Sequence, residues 1–251
     1  MKVGRFLFKE KVFWGVIEED EVFVLKLPIF KGVIKTEESF SLEELKILPP
    51  VVPGKILGIG LNYKDHAREM EKELPIEPLV FMKPATAIIG NEDNIQLPSK
   101  SNQVDYEGEL AVVIKKACRN VTPENADRYI LGYTCMNDVT ARDLQRLDVQ
   151  YTRAKGFDTF APIGPFIETE LEPKELSIKS YLNEELVQDS NTNEMIFDVY
   201  QLVSFISEVM TLMPGDVITT GTPPGVGKLS PGDKIEIEIE NIGKLTNYVF
   251  G

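Results

Sequence analysis

Residues 105 to 114 read Asp-Tyr-Glu-Gly-Glu-Leu-Ala-Val-Val-Ile, an apolar run of strand length with two carboxylates at its head. A short run of this kind, rich in β-branched residues and preceded by polar ones, predicts a buried β-strand. Side chains two residues apart in a strand point to the same face, so Glu107 and Glu109 are expected to lie side by side. A lone Glu-x-Glu is more often an exposed polar edge, and only further carboxylates nearby favour a binding site.

Runs of the same kind recur along the chain and predict a mixed fold in which β-structure predominates. Strands are predicted at residues 2–8, 12–18, 21–27, 79–82, 109–114, 217–220 and 234–239. Helices are predicted at residues 41–47, 123–129, 141–149 and 198–210, with a short exposed helix at 65–74. Ser41 would cap the helix at 41–47 with Glu44 as its capping-box partner, and Asp65 would cap the short helix at 65–74. The sequence therefore predicts a β-rich α+β fold.

A stiff connector divides the chain near residue 50. Residues 49–53 read Pro-Pro-Val-Val-Pro, and prolines hold the backbone in extended conformations. The three strands predicted before this connector would form a small β-meander. We therefore expect a small β-rich N-terminal domain over residues 1–50 and a larger domain, which carries the functional residues, over 51–251.

Composition excludes several classes of partner. The 27 Lys and Arg residues against 40 Asp and Glu give a net charge of −13, which repels phosphate backbones, so no nucleic acid partner is expected. No apolar stretch reaches the roughly 18 residues that a membrane span needs, and the first residues lack the apolar core of a signal peptide. Cys118 and Cys135 form no Cys-x-x-Cys motif. A cytoplasmic protein without a membrane partner is expected.

Asp138 is a third carboxylate in a comparable position. It follows the apolar run at 129–136 and precedes a predicted helix, where it could also serve only as a helix cap. Together with Glu107 and Glu109 it would offer a hard divalent cation three oxygen ligands, with coordination positions left open for water or a bidentate oxo acid. The donor set resembles a site for Mg²⁺ or Mn²⁺.

His66 is the only histidine, which excludes a His-rich zinc or copper site and leaves one imidazole for proton transfer near neutral pH. Glu69 lies three residues further on, and helical spacing would place both side chains on one face. The carboxylate could then orient the imidazole in a base dyad, although a solitary histidine is more often incidental. The segment around His66 is charged and weakly apolar, so we expect it to be mobile without ligand.

Lys83 and Lys155 both stand in apolar surroundings that are broken by proline or glycine. A buried ammonium needs a partner. That partner could be an anionic substrate, the carboxylates of the metal site or an ordinary salt-bridge residue. We take Lys83 as a candidate substrate-binding residue.

Two glycine-rich stretches fail to match nucleotide-binding motifs. Leu229 follows Lys228 where a phosphate-binding loop needs Ser or Thr, and Tyr63 stands where a dinucleotide fingerprint needs its third glycine. Since a redox cysteine pair is also missing, a cofactor-dependent oxidoreductase is the least favoured class of enzyme.

Six motifs, taken together and in this order, resemble the signature set of the fumarylacetoacetate hydrolase family. They are NYKDHAREM (62–70), FMKP (81–84), DYEGELAVVI (105–114), NDVTARDLQ (137–145), TRAKGFDTFAPIGP (152–165) and TTGTPPGVG (219–227). The resemblance covers about residues 53 to 248, and the joint occurrence of six motifs is far more specific than any one of them. The first fifty residues resemble the small β-rich N-terminal extension of some short members.

The resemblance implies a fold, a metal and a set of site residues. The family fold is a mixed β-roll decorated with helices and is usually dimeric, so a homodimer that binds Mg²⁺ or a similar cation is expected. By position in the motifs, Glu107, Glu109 and Asp138 match the metal ligands. His66 and Glu69 match a catalytic dyad on a short lid that becomes ordered when substrate binds, and Lys155 matches a catalytic lysine beside the metal. Arg142 and Gln145 match polar residues near the substrate, and Thr222 matches a threonine that binds the substrate carboxylate.

The resemblance also implies an activity. Family members act on 2-oxo acids through a metal-stabilised enolate, so we expect hydrolysis or isomerisation of an acylpyruvate or a 2-hydroxyhepta-2,4-diene-1,7-dioate-type substrate, as in aromatic catabolism. One alternative is an oxaloacetate decarboxylase or tautomerase. A further alternative, from another class, is a metal-binding protein that has lost its activity.

Overall fold

The computed structural model describes all 251 residues, and strands make most of its regular structure. The N-terminal strands are β1 (Lys2–Phe8), β2 (Lys11–Glu18), β3 (Glu21–Leu25), β4 (Lys35–Ser41) and β5 (Lys46–Leu48). The next are β6 (Ile56–Gly60), β7 (Leu79–Lys83), β8 (Ile88–Ile89), β9 (Asn94–Gln96), β10 (Val104–Tyr106), β11 (Gly108–Ile114), β12 (Ile130–Asn137) and β13 (Thr140–Ala141). The last are β14 (Ala161–Glu168), β15 (Ser177–Leu182), β16 (Glu185–Asn191), β17 (Val217–Thr219), β18 (Gly227–Lys228), β19 (Lys234–Ile239) and β20 (Gly243–Phe250).

The helices are short and few. The α-helices are α1 (Lys64–Glu69), α2 (Arg142–Leu147), α3 (Thr152–Lys155) and α4 (Val199–Val209). Single 3₁₀ segments lie at Ile29–Lys31, Leu42–Glu44, Ala85–Ala87, Pro123–Tyr129 and Thr192–Glu194. Helix α4 begins with a capping box between Asp198 and Gln201. None of these helices has the length and apolar character to cross a membrane.

The predicted β-rich fold is confirmed, and most predicted strands agree with the structure to within two residues. The predicted helix at 41–47 is wrong. Ser41 ends strand β4 and makes no capping hydrogen bond, and Ile47 pairs with Phe6 across β5 and β1. Pairing to the sheet thus overrides a local capping signal. The segment at 123–129 is a 3₁₀ helix rather than an α-helix, and Tyr63, not Asp65, is the N-cap of α1.

A twelve-stranded sheet joins the N-terminal strands to the rest of the chain. Its order is β4-β3-β2-β1-β14-β12-β11-β17-β6-β7, with β5 added on β1 and β8 on β14. Strand β1 pairs antiparallel with β14, so the sheet continues across the predicted boundary at residue 50. The N-terminal strands also keep a small apolar cluster of their own, made of Phe6, Phe13, Val22, Val24 and Leu45. The boundary itself stays a prediction.

Strand β11 lies in the middle of this sheet, between β12 and β17, and is buried along its whole length. Leu110 and Val112 belong to the largest apolar core, whereas Ala111 and Val113 belong to a second core on the opposite face. A strand that is covered on both faces reads as a continuous apolar run, which explains the sequence of residues 110–114. A five-stranded sheet, β16-β15-β19-β20-β9, packs beside β11 and positions the loops described below.

Candidate metal centre and active site

Three buried carboxylates meet where two paired strands begin and end. Glu107 directly precedes β11, Glu109 is its second residue, and Asp138 directly follows β12. Because β11 and β12 are antiparallel and pair Gly108 with Asn137, the start of one lies beside the end of the other. One oxygen from each carboxylate lies within 4.8 Å of the others. The structure thus brings together the three predicted ligand residues.

Lys155 lies between two of these carboxylates. Its Nζ donates to Glu107 Oε2 at 2.7 Å and to Asp138 Oδ2 at 2.5 Å, and the side chain is almost fully buried. Burial lowers the pKa of Lys155, but the charges of Asp138 and Glu107 outweigh this effect and raise it. Lys155 therefore carries a positive charge at neutral pH.

Arg142, at the start of α2, holds the other side of Glu107. Its guanidinium donates to Glu107 Oε1 and, through Nε at 2.8 Å, to Asp105 Oδ2. Burial would raise the pKa of Glu107, but Lys155 and Arg142 outweigh burial and lower it to about 2. A third nitrogen, Arg142 Nη1, donates to Gln145 Oε1 at 2.7 Å and fixes that side chain beside the site.

Glu109 is the least compensated of the three carboxylates. Its Oε2 accepts hydrogen bonds from Thr219 Oγ1 and, at 2.8 Å, from the Gly221 amide, whereas Oε1 accepts none from the protein. Burial, together with the negative charges of Asp138 and Glu107, raises the pKa of Glu109 well above its usual range. A cation bound at Oε1 would offset this repulsion.

The residues present fit a hard divalent cation. The donors are carboxylate oxygens only, as Mg²⁺ and Mn²⁺ prefer, and one of them has no other partner. When all of its groups are ionised, the cluster has four carboxylates and three cations, which leaves one negative charge. These carboxylates are Asp105, Glu107, Glu109 and Asp138, and the cations are Lys83, Arg142 and Lys155.

Lys83 pairs with a carboxylate of the metal site, one of the partners that the sequence left open, and not with the pocket. Its side chain is fully buried behind Asp138, and its Nζ donates to Asp138 Oδ1 at 2.5 Å and to the Val139 carbonyl at 3.1 Å. It does not line the pocket. The apolar sequence around Lys83 therefore indicates a buried partner of Asp138, and its assignment as a substrate-binding group is corrected.

His66 and Glu69 form a contact on α1. His66 Nδ1 lies 2.8 Å from Glu69 Oε2, as the spacing of three residues predicts, and Glu69 Oε1 accepts from the Gly225 amide at 3.1 Å. His66 is buried, and Asp65 ties the helix to β16 through Ser190 Oγ at 2.5 Å. The first turns of this segment are thus held by polar contacts.

A pocket of about 200 Å³ connects the carboxylates to α1. It is lined by most of the predicted site residues, namely His66, Glu107, Glu109, Arg142, Gln145, Lys155 and Thr222. An outer recess of about 590 Å³, which shares His66, Lys72 and Arg142 with this pocket, extends to Arg146. Glu69 lines the outer recess only, and Asp138 lines neither cavity.

Sequence reasoning missed several groups that shape the site. Asp105 belongs to the same motif as Glu107 and accepts a hydrogen bond from Arg142. As a third acid in that motif, it could have been named as a site residue from the sequence. Thr219 and the Gly221 amide hold Glu109 from a loop more than a hundred residues away. Tyr63 has a fully buried hydroxyl that makes no hydrogen bond.

Comparisons with known proteins show which family this chain belongs to. The family model described as fumarylacetoacetate (FAA) hydrolase C-terminal matches residues 55–250, and one described as Rv2993c-like, N-terminal, matches residues 1–50. The structure of 5-carboxymethyl-2-hydroxymuconate delta-isomerase from Mycobacterium smegmatis is 42% identical with a TM-score of 0.94 and covers 100% of this chain and 99% of its own.

Two further relatives carry functional names. The 2-hydroxyhepta-2,4-diene-1,7-dioate isomerase from Mycobacterium marinum is 40% identical with a TM-score of 0.94, and the match covers 100% of this chain and 98% of its own. The mitochondrial oxaloacetate tautomerase FAHD2B of Bos taurus is 44% identical over 219 residues, which are 82% of this chain and 70% of that protein. The predicted resemblance is confirmed, and the chain belongs to the fumarylacetoacetate hydrolase family.

Proposed function

We propose that this protein is a divalent-metal-dependent enzyme that hydrolyses or isomerises an acylpyruvate or a 2-hydroxyhepta-2,4-diene-1,7-dioate-type 2-oxo acid. One observation carries the proposal. Three buried carboxylates cluster around an unpaired oxygen of Glu109, and two of them, Glu107 and Glu109, line a pocket that also holds a charged lysine and an oriented histidine.

Glu107, Glu109 and Asp138 would hold the cation, for which we propose Mg²⁺ or Mn²⁺. When bound there, the metal supplies Lewis-acid polarisation of the carboxylate and keto oxygens of a 2-oxo acid. Lys155 adds a fixed positive charge at the same end of the pocket, where negative charge develops as the substrate enolises. Arg142 holds Glu107 and Gln145 in place while this charge changes.

His66 is the proton carrier in this proposal. A carboxylate only accepts hydrogen bonds, so the contact with Glu69 requires a hydrogen on Nδ1. The neutral imidazole then keeps its lone pair on Nε2, and His66 lines the pocket. His66 can therefore take a proton from the substrate or from a water molecule and return it later, with Glu69 as its orienting group.

The shape of the site favours a substrate with a second polar end. Beyond the inner pocket, the outer recess is more than twice as large. Arg146 lines this recess alone, Lys72 lines both cavities, and neither of these cations forms a salt bridge. These cations suit the distal carboxylate of a dicarboxylic substrate. The printed names of the two mycobacterial isomerases, which are similar to this chain over its full length, support the same choice.

Oxaloacetate tautomerisation or decarboxylation is the second candidate. It is favoured by the similarity to the bovine oxaloacetate tautomerase, and it would use the same charged groups on a shorter substrate. Loss of all activity is a weaker alternative, because His66, Glu107, Glu109 and Lys155 line one pocket, and Glu69 and Asp138 contact His66 and Lys155 directly.

A panel of substrates separates these alternatives. An acylpyruvate, oxaloacetate and a hydroxy-dienedioate are each incubated with Mg²⁺, with and without EDTA, and product formation is followed by ultraviolet absorbance and chromatography. We expect EDTA-sensitive turnover of the acylpyruvate or the dienedioate. Turnover of oxaloacetate alone would favour the second candidate. Metal binding without turnover of any substrate would contradict the proposal.

A further inference from the structure

A buried amide joins the first residue of β11 to the loop that follows β17, and both parts carry residues of the site. Gln188, on β16, is 1% exposed, and all of its hydrogen-bonding capacity is used. Its Oε1 accepts from the Gly108 amide at 3.0 Å and from Ser180 Oγ at 2.7 Å, and its Nε2 donates to Thr222 Oγ1 and the Pro223 carbonyl, each at 2.9 Å. Gly108 separates Glu107 from Glu109, and Thr222 lines the pocket.

These partners leave only one orientation for the amide. If its oxygen and nitrogen exchanged places, the amide nitrogen would face the Gly108 N–H and the oxygen would face the Pro223 carbonyl, so donor would meet donor and acceptor would meet acceptor. Close packing also fixes the backbone here, because a Cβ at position 108 would lie 2.4 Å from Ser180 Oγ. Gln188 therefore donates a hydrogen to the Thr222 hydroxyl.

The direction of the Thr222 hydroxyl follows from this bond. Since its oxygen accepts from Gln188, its hydrogen is free to point elsewhere, and it donates to the Gly108 carbonyl at 3.0 Å. A hydroxyl that accepts a hydrogen bond is polarised into a better donor. A substrate carboxylate could draw that hydrogen from the Gly108 carbonyl while Gln188 keeps the oxygen in place.

We infer that Gln188 is a positioning residue for substrate recognition, which sets the Thr222 hydroxyl to donate to the carboxylate of a 2-oxo acid. The inference rests on the proposed function, because it needs a carboxylate beside Thr222. Gln188 touches neither the substrate nor the metal site carboxylates, and it acts through Thr222.

Binding of oxalate to the Mn²⁺-loaded protein tests this role by calorimetry. Oxalate presents the paired oxygens of a 2-oxo acid and undergoes no turnover. We expect Gln188→Met to weaken oxalate binding about tenfold, the effect of losing one hydrogen bond to a charged group. Ser180→Ala is the matched control, since it removes a hydrogen bond to the same amide but leaves Thr222 held, and it should change the affinity less than about twofold. Thermal unfolding of both variants checks that each is folded.

A double-mutant cycle separates action through Thr222 from general loosening of the loop. Thr222→Val should weaken oxalate binding, and Gln188→Met in that background should weaken it no further. An additional tenfold loss there, or unchanged affinity in Gln188→Met alone, would overturn the inference.

Two outcomes need separate treatment. If Gln188→Met does not fold, Gln188→Glu keeps the acceptor for Gly108 and Ser180 and replaces the Nε2 donor with an oxygen that would accept from the Thr222 hydroxyl, so oxalate binding should weaken at least as much. If the wild-type protein with Mn²⁺ binds no oxalate, the proposed function itself is contradicted and the inference falls with it. Normal wild-type binding with unaffected variants contradicts the inference alone.

Discussion

Replacing Lys83 with methionine tests whether this buried ammonium is required by Asp138. Lys83 is fully buried, and its Nζ is 2.5 Å from Asp138 Oδ1, whose side chain is 1% exposed. Removing one partner of a buried ion pair costs about 3–5 kcal/mol, because the remaining charge stays buried without compensation. Asp138 keeps Lys155 on its other oxygen, so we expect Lys83→Met to lower the free energy of unfolding by about 3 kcal/mol, the lower end of that range.

Urea unfolding in EDTA measures this loss. The control is Lys11→Met, which removes the exposed partner of Glu38 and should cost less than about 1 kcal/mol. Saturating Mg²⁺ should stabilise Lys83→Met more than the wild-type protein, because the cation replaces a positive charge beside Asp138. A loss below about 1 kcal/mol in EDTA would refute the view that Asp138 depends on Lys83.

Three further predictions follow from the site. Glu69→Gln should lower kcat about 10²-fold, because the amide can donate to His66 Nδ1 and so favour the wrong tautomer. Steady-state kinetics measure this loss, with Glu73→Gln, a change at an exposed neighbour, as the control. Equal kcat values for Glu69→Gln and the wild-type protein would contradict the dyad. Arg146→Gln should raise KM for a dicarboxylic substrate about tenfold and leave that of a monocarboxylic acylpyruvate unchanged, whereas equal effects would exclude a distal carboxylate at the outer recess. We also propose a homodimer, so sedimentation should give twice the chain mass of 28.2 kDa, and a monomer at working concentration would contradict it.

Much of the fold could be predicted because its signals are local. The apolar run at 110–114 is continuous because cores cover both faces of β11, and the helix predicted at 198–210 is α4 in the structure. The capping signal at Ser41 is also local, but the helix it predicts does not form. There, pairing of Ile47 with Phe6 in the sheet is worth more than a helical turn.

The ligand residues could be predicted as a group because each lies beside an apolar strand, and antiparallel pairing brings the ends of β11 and β12 together. The role of Lys83 could not, since an apolar neighbourhood indicates burial without naming the partner. Gln188 gave no signal at all. Its partners Gly108 and Thr222 lie 80 and 34 residues away along the chain, and only the packing of two sheets brings them together.

The dependence of turnover on free Mg²⁺ tests the central claim most directly. It is measured with the best substrate of the panel, for the wild-type protein and for Glu109→Gln. The variant is nearly isosteric and removes the charge of the one carboxylate that has an unpaired oxygen. We predict saturable activation of the wild-type protein, no activity in EDTA, and a loss of at least about 10²-fold in kcat/KM in the variant. Turnover that persists in EDTA, or a variant as active as the wild-type protein, would contradict the claim that Glu107, Glu109 and Asp138 form a catalytic metal centre.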